Sequence, residues 1–202
     1  MDEKRSKISK MTILSRRSLL AMSLVLSLYA CKKNTPPANT TDYLNEGKEI
    51  TKASFTALSN KLSEQMKMGG PKQAIPFCNV EALPLTDSLA NAFDVSIKRT
   101  SDKLRNPKNQ ATDRELEIID AYKKIHSNGA VLKPVVERGS DNKMHFYAPI
   151  TTSAKCLKCH GKTGEMMDVK TDSIIKSLYP SDMATGYGDE QVRGIWSITF
   201  NK

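Results

Sequence analysis

From Asp42 to Met68 the apolar side chains Leu44, Phe55, Leu58, Leu62 and Met66 recur at roughly three- and four-residue steps. That period predicts an amphipathic helix, and "MGGP" at 68–71 stops it. The following stretch, "PKQAIPFCNVEALPLTDSLANAF", reads as two short helices broken by Pro76 and Pro84. The period then shortens. "DVSIKRTS" alternates as a strand does, "KLRNPKNQ" is a loop, and "TDRELEIIDAYKKIHSNG" is a helix capped by Thr112 or Asp113 and ended by Gly129. "AVLKPVVERG", "KMHFYAPITT" and "VRGIWSITF" alternate or carry β-branched and aromatic residues, so each predicts a strand. Helices come early and strands cluster late, which predicts an α+β fold with an antiparallel sheet and flanking helices.

The first 41 residues break this pattern. "MDEKRSKISKMTILSRR" is basic, and "SLLAMSLVLSLYA" adds thirteen mostly apolar residues before Cys31. A core of that length suits a signal peptide over 1–30 and falls short of the ~20 residues that span a bilayer, which argues against an uncut anchor. "LYAC" resembles the lipobox of bacterial lipoproteins, so Cys31 is the expected lipidation site and new N-terminus. "KKNTPPANTTD" buries little apolar area, so 31–41 reads as a flexible tether and 42–202 as the folded domain. The chain is therefore expected to be exported and held by lipid at a membrane, facing the periplasm or the cell exterior. Six of the 31 basic side chains and two of the 22 acidic ones lie in the first thirty residues, so the net charge of +9 falls to +5 without them. With only 6% aromatics and no basic run, that mild excess argues against nucleic-acid binding.

Lipid at Cys31 leaves three thiols, Cys78, Cys156 and Cys159, an awkward number in an oxidising compartment. Cys156, Cys159 and His160 stand as C-x-x-C-H, the attachment signature of a covalent c-type haem. Two thiols at that spacing add to vinyl groups along one edge of the porphyrin, and the adjacent imidazole reaches the iron. A thioredoxin-like redox pair fits less well, because no parallel-sheet pattern surrounds the motif. A Cys3His zinc site from Cys78, Cys156, Cys159 and His160 has the right ligand count. The spacing leaves the second axial ligand open: Met144, His145, Met166 and Met167 are candidates, although methionines commonly fill core gaps and His145 sits in an alternating strand. Arg99, Lys103 and Arg105 form a basic cluster suited to haem propionates, or to an ordinary solvated loop.

Six segments occur in an order that resembles a family of small c-type haem domains with a PAS-like fold, long known only as a domain of unknown function. They are "GGPKQAIPFC", "IKRTSDKLRNPKN", "FYAPI", "CLKCHG", "YPSDMATGY" and "RGIWS", and the resemblance runs from about Asp42 to Phe200. It departs at Ala82-Leu83 and at Glu190-Gln191, where the family has Ala-Pro and Gly-Asp. The resemblance implies a PAS-like antiparallel sheet with a long N-terminal helix and one haem c, with His160 as one axial ligand and Cys78 as the other. An anionic thiolate ligand lowers the potential of ferric iron relative to methionine. The resulting expectation is a monohaem cytochrome acting in one-electron transfer with an unidentified redox partner. The alternative is a haem-based redox or gas sensor signalling through a separate partner. An enzyme such as a haem peroxidase would need an open iron site, which a distal cysteine closes.

Overall fold

The computed structural model describes residues 40–201. The expected signal peptide, Cys31 and most of the expected tether lie outside the described residues. Helix α1 (Thr40–Phe93) begins the fold, two residues before the expected Asp42. Gly69 and Gly70 interrupt it with non-helical backbone, and Gly70 has φ 64°, a conformation that glycine adopts without a Cβ clash. The interruption divides α1 into two arms, 40–68 and 71–93. Gln73 Nε2 donates to Gln65 Oε1 at 3.1 Å across the break.

The second arm corrects the expectation of two short helices, because the backbone stays helical through Pro76 and Pro84. Each proline removes one backbone donor from the helix. Both rings are exposed, so water can reach the turns they disturb. The predicted apolar stripe of the first arm is also only partly buried. Leu44 and Leu58 pack on the core, whereas Phe55 is 60% and Leu62 42% exposed. The buried positions are instead Gly47, Ile50, Ser54 and Gln65, which period counting passes over because only Ile50 carries a large apolar side chain.

Strand β1 (Val95–Thr100) leads through a 3-10 turn (Pro107–Asn109) to α2 (Asp113–Ser127). Thr112 caps α2 in a reciprocal capping box: its hydroxyl accepts from Glu115 N at 3.3 Å, and its own N–H donates to Glu115 Oε2 at 2.8 Å. Strands β2 (Val135–Arg138) and β3 (Met144–Thr151) follow, then a single helical turn α3 (Leu157–His160), α4 (Val169–Leu178) and β4 (Val192–Phe200). The four predicted strands are all present, β2 being shorter than its sequence pattern. Helix α4 was not expected, although Asp168 caps it by accepting from Lys170 N at 2.7 Å.

The sheet order is β1-β4-β3-β2, and every pair is antiparallel. The fold is thus α+β with a four-stranded antiparallel sheet and a long N-terminal helix, consistent with a PAS-like architecture. Alternation divides the sheet between two clusters. Met144, Phe146, Ala148, Trp196, Ile198 and Phe200 pack with Ile50 of α1. Tyr147 and Ile195 pack with Ile118, Ile119 and Tyr122 of α2. A smaller cluster joins Ile75 of the second arm to Met167, Ile175 and Tyr179. Among the described residues no helix is long and apolar enough to cross a membrane.

Helix α1 approaches the sheet most closely at Gly47, where an added Cβ would stand 2.3 Å from the fully buried Phe146 ring. Overpacking of that kind costs typically about 1–3 kcal/mol. Gly47→Ala is expected to lower the urea midpoint accordingly with the m-value unchanged, followed by far-UV circular dichroism.

Candidate functional site

The C-x-x-C-H segment occupies a short helical turn. Cys156 is the N-cap residue of α3, and the N–H groups of Cys159 and His160 donate to Cys156 O at 3.1 and 2.9 Å. Residues three apart on a helix share a face, so the turn brings Cys156 and Cys159 to one side and ends on His160. All three cysteines in the described residues are free and half-buried. Gly161 is needed directly after the histidine, because a Cβ there would meet Leu157 O at 2.5 Å and Met166 Cβ at 2.7 Å.

His160 is fixed by a loop that comes from far along the chain. Its Nδ1 lies 2.7 Å from the carbonyl oxygen of Ala184. A carbonyl only accepts, so the imidazole carries its proton on Nδ1 and its lone pair on Nε2, which makes no hydrogen bond among the described residues. The loop is strapped down on both sides. Tyr187 N donates to His160 O at 2.9 Å, Gly186 N to Gly161 O at 3.1 Å, and Met183 N to Leu104 O at 2.8 Å. The Tyr187 ring stands edge-on to the imidazole, with centroids 6.4 Å apart.

Arg105 knits these pieces together. It donates to both carboxylate oxygens of Asp182 at 3.1 and 3.2 Å, to Cys159 O at 2.6 Å and to Ala184 O at 3.3 Å. Asp182 has 2% side-chain exposure, so the pair is largely desolvated, and Asp182 also accepts from Ala184 N at 3.0 Å. Lys103 donates to Thr185 O at 2.8 Å and sits 4.6 Å above the Tyr187 ring. Arg99 lies over Trp196 at 5.8 Å and Arg193 over Tyr187 at 5.3 Å.

The second arm of α1 carries Cys78 into the same neighbourhood. Burial pushes its thiol pKa up, against the opposing pull of Arg99 and Arg105. Cys159 is likewise raised by burial, opposed by Arg105 and reinforced by the nearby Cys78 and Cys156. His160 is pushed down to about 3, first by burial and then by Arg105 and Arg193, with the Ala184 carbonyl pulling the other way. A neutral imidazole with one free nitrogen, close to thiols and backed by cations, is a ligating centre rather than an acid–base one at neutral pH.

The structure therefore brings together Cys78, Cys156, Cys159, His160, Arg99 and Arg105. It places the other ligand candidates elsewhere or leaves them packed. His145 lies on the α2 side of the sheet, hydrogen-bonded to Asp141 at 2.9 Å and Thr199 at 3.1 Å, within an open cleft of about 490 Å³. Met144 is buried against α1, Met166 is exposed, and Met167 is buried in the cluster that touches Cys159. Among the described residues no group of three or more His, Cys, Asp or Glu is placed to hold a metal ion. A second cleft of about 660 Å³, lined by Val80, Leu83, Pro84, Arg105 and Tyr179, borders the site without including His160 or any cysteine. Sequence reasoning missed Asp182, Ala184, Tyr187 and Arg193. The first three lie within "YPSDMATGY" and the last opens "RGIWS", so motif position was the available signal.

The neutral histidine has a consequence for stability. Its folded pKa of about 3 is far below the ordinary 6.5 that it regains on unfolding. Between those values the unfolded chain binds the extra proton, so stability falls as pH drops from 6.5 toward 3, with a slope approaching about 1.4 kcal/mol per pH unit. In the cofactor-free chain, urea denaturation across that window should show this slope, and His160→Gln should lose that part of it.

Three comparisons bear on this arrangement. Comparison with curated proteins finds no match. Among solved structures, the chain is similar to "Crystal structure of the cyanobacterial heme-protein Tll0287" at 19% identity, with a TM-score of 0.58, covering 81% of this chain and 95% of that one. At that identity the likeness shows a shared fold. The Tll0287-like family model matches residues 37–201, which hold every residue of the site, and the chain belongs to that family.

Proposed function

We propose that this chain is an exported monohaem c-type cytochrome, tethered by lipid at Cys31, that transfers single electrons. The observation that carries the reading is the state of His160: Nδ1 is committed to the Ala184 carbonyl and Nε2 is left free, one residue from a pair of unbridged thiols on the same helical turn. The similar cyanobacterial structure is described as a heme-protein, which supports the same cofactor.

The residues present fit a covalently held haem. Cys156 and Cys159 would each add S–H across a vinyl group to give two thioethers, so neither thiol is left over. His160 Nε2 would ligate the iron, with the bond to Ala184 fixing the tautomer and ring orientation, as outer-shell partners of ligating histidines do. Cys78 would be the second protein ligand. Its half-buried thiol resists ionisation alone, but Arg99 and Arg105 favour the thiolate, and metal ligation displaces a thiol proton. When bound, the haem supplies a one-electron iron couple. The loop that fixes His160 is strapped by backbone hydrogen bonds, so this ligand would need little rearrangement during electron transfer.

Exported with a haem c maturation system, the protein should be red and keep its haem through acid-acetone extraction, and the Cys156→Ser, Cys159→Ser double variant should not. A colourless wild type binding one zinc would overturn the reading. Cys78→Ser should retain covalent haem, lose the weak thiolate-to-iron charge-transfer band of the ferric protein and raise the reduction potential. A wild-type spectrum and potential in that variant would remove Cys78 as a ligand. Reversible one-electron cycling without CO binding supports the carrier, whereas a CO-triggered change supports the sensor. For the tether, Cys31→Ser should move the protein from the membrane fraction to the soluble exported pool with its spectrum intact.

A further inference from the structure

Two cations at the site, Arg99 and Arg193, form no salt bridge among the described residues. Around His160 stand Arg99, Lys103, Arg105 and Arg193, and the carboxylate at the centre of this group, Asp182, is already held by Arg105. Asp102 is held by Lys123. Lys103 has a carbonyl partner in Thr185. Neither Arg99 nor Arg193 is in a salt bridge among the described residues; Arg193 leans on the Tyr187 side chain and feels Asp182 only at longer range, and its Nε is buried with no partner. The Tyr187 hydroxyl is also buried, with Arg193 as its neighbour, and as a donor it has no acceptor among the described residues; the Tyr187 ring underlies Arg193. Desolvated cations left this way cost several kcal/mol each, and native structures seldom keep them unless something supplies the anion.

The chain's own groups do not supply it. A thiolate at Cys78 would face Arg99 and Arg105, and Arg193 is not among the charges that act on it. The two arginines are close enough to repel, and burial together with that repulsion pushes the Arg99 pKa down. They come from the paired strands β1 and β4, where Arg99 stands opposite Trp196 and Arg193 precedes Gly194 at the strand entrance. Gly194 permits this approach, because a Cβ there would lie 2.2 Å from Thr100 O.

We infer that Arg99 and Arg193, with the Tyr187 hydroxyl as an added donor, form a receptor for the carboxylates of the bound cofactor, and that Arg105 is a positioning residue committed to Asp182 and the Ala184 loop. The inference rests on the haem reading, under which those carboxylates are the two propionates. It moves the expected contact from Arg105 to Arg193, a residue that the sequence pattern did not single out. Guanidinium donors in a half-buried setting suit carboxylates because the fork matches both oxygens and the charge is poorly solvated.

The test uses holoprotein carrying Arg193→Gln, Arg193→Lys, Arg99→Gln or Arg105→Gln, each checked for covalent haem by staining after denaturing electrophoresis. Resonance Raman propionate bending bands and the reduction potential are then read. Arg193→Gln and Arg99→Gln should keep the haem, shift the bending bands and lower the potential, because a lost cation favours the ferric state. At fixed ambient potential the ferric-to-ferrous ratio should rise about tenfold, which is a fall of about 59 mV in the one-electron potential. Arg193→Lys should retain most of the potential while the bands still move. Arg105→Gln should leave the bands in place and lower the thermal midpoint. Haem-loaded Arg193→Gln and Arg99→Gln with wild-type bands and potential would overturn this inference alone, as would bands that move only in Arg105→Gln. A wild type without haem would overturn the haem reading and this inference together.

Discussion

The chemistry at this site depends on where one carbonyl oxygen sits. Ala184 O accepts from His160 Nδ1 at 2.7 Å, and this decides which imidazole nitrogen is left to ligate. An unrestrained histidine would sample both tautomers and several ring orientations. Here Met183, Gly186 and Tyr187 each anchor the loop by a backbone N–H, and Asp182 accepts both from Ala184 N and from Arg105. The ion pair of Arg105 and Asp182 is thus a brace for the carbonyl. Losing one partner would strand a desolvated charge at a cost of about 3–5 kcal/mol and loosen the loop.

The same brace organises the charge of the site. Arg105 neutralises Asp182, which leaves Arg99 and Arg193 to bias whatever binds against His160. Low effective dielectric strengthens those fields, so a neutral His160 and a cation-flanked Cys78 are two results of one arrangement. Burial opposes ionisation of the cysteine, and the arginines oppose burial. Burial thus raises the Cys78 thiol pKa while the two arginines draw it back.

The sequence disclosed those features whose cause is local. The pattern of "VRGIWSITF" marked β4 to its end residues, and "TD" before "RELEIIDAY" marked the start of α2 with Thr112 or Asp113 as cap, because each depends on neighbours within a few positions. C-x-x-C-H is equally local, since one helical turn sets the geometry of Cys156, Cys159 and His160. Period counting failed where tertiary contact decides. Phe55 and Leu62 sit at helical spacing, yet the sheet meets α1 at Gly47, where a bare backbone admits Phe146. Pro76 and Pro84 read as breaks, yet the second arm stays helical because its prolines face water. The partner of His160 is a main-chain oxygen, which no side-chain pattern reveals. Arg193 carries no local signal, and its place beside Tyr187 and Arg99 arises only when β4 pairs with β1.

Strand order gives these contacts a sequence in time. β4 is the last strand of the chain, yet it lies between β1 and β3, and β1 has no other strand partner. The α1 arms, α2 and the β2–β3 hairpin depend on nearby residues and can form early, whereas β1 cannot join the sheet until β4 arrives. Arg99 and Arg193 meet only through that late pairing, and the loop bearing Ala184 is drawn onto His160 by the segment leading into β4. Until then Cys156 and Cys159 lie on an unstrapped turn.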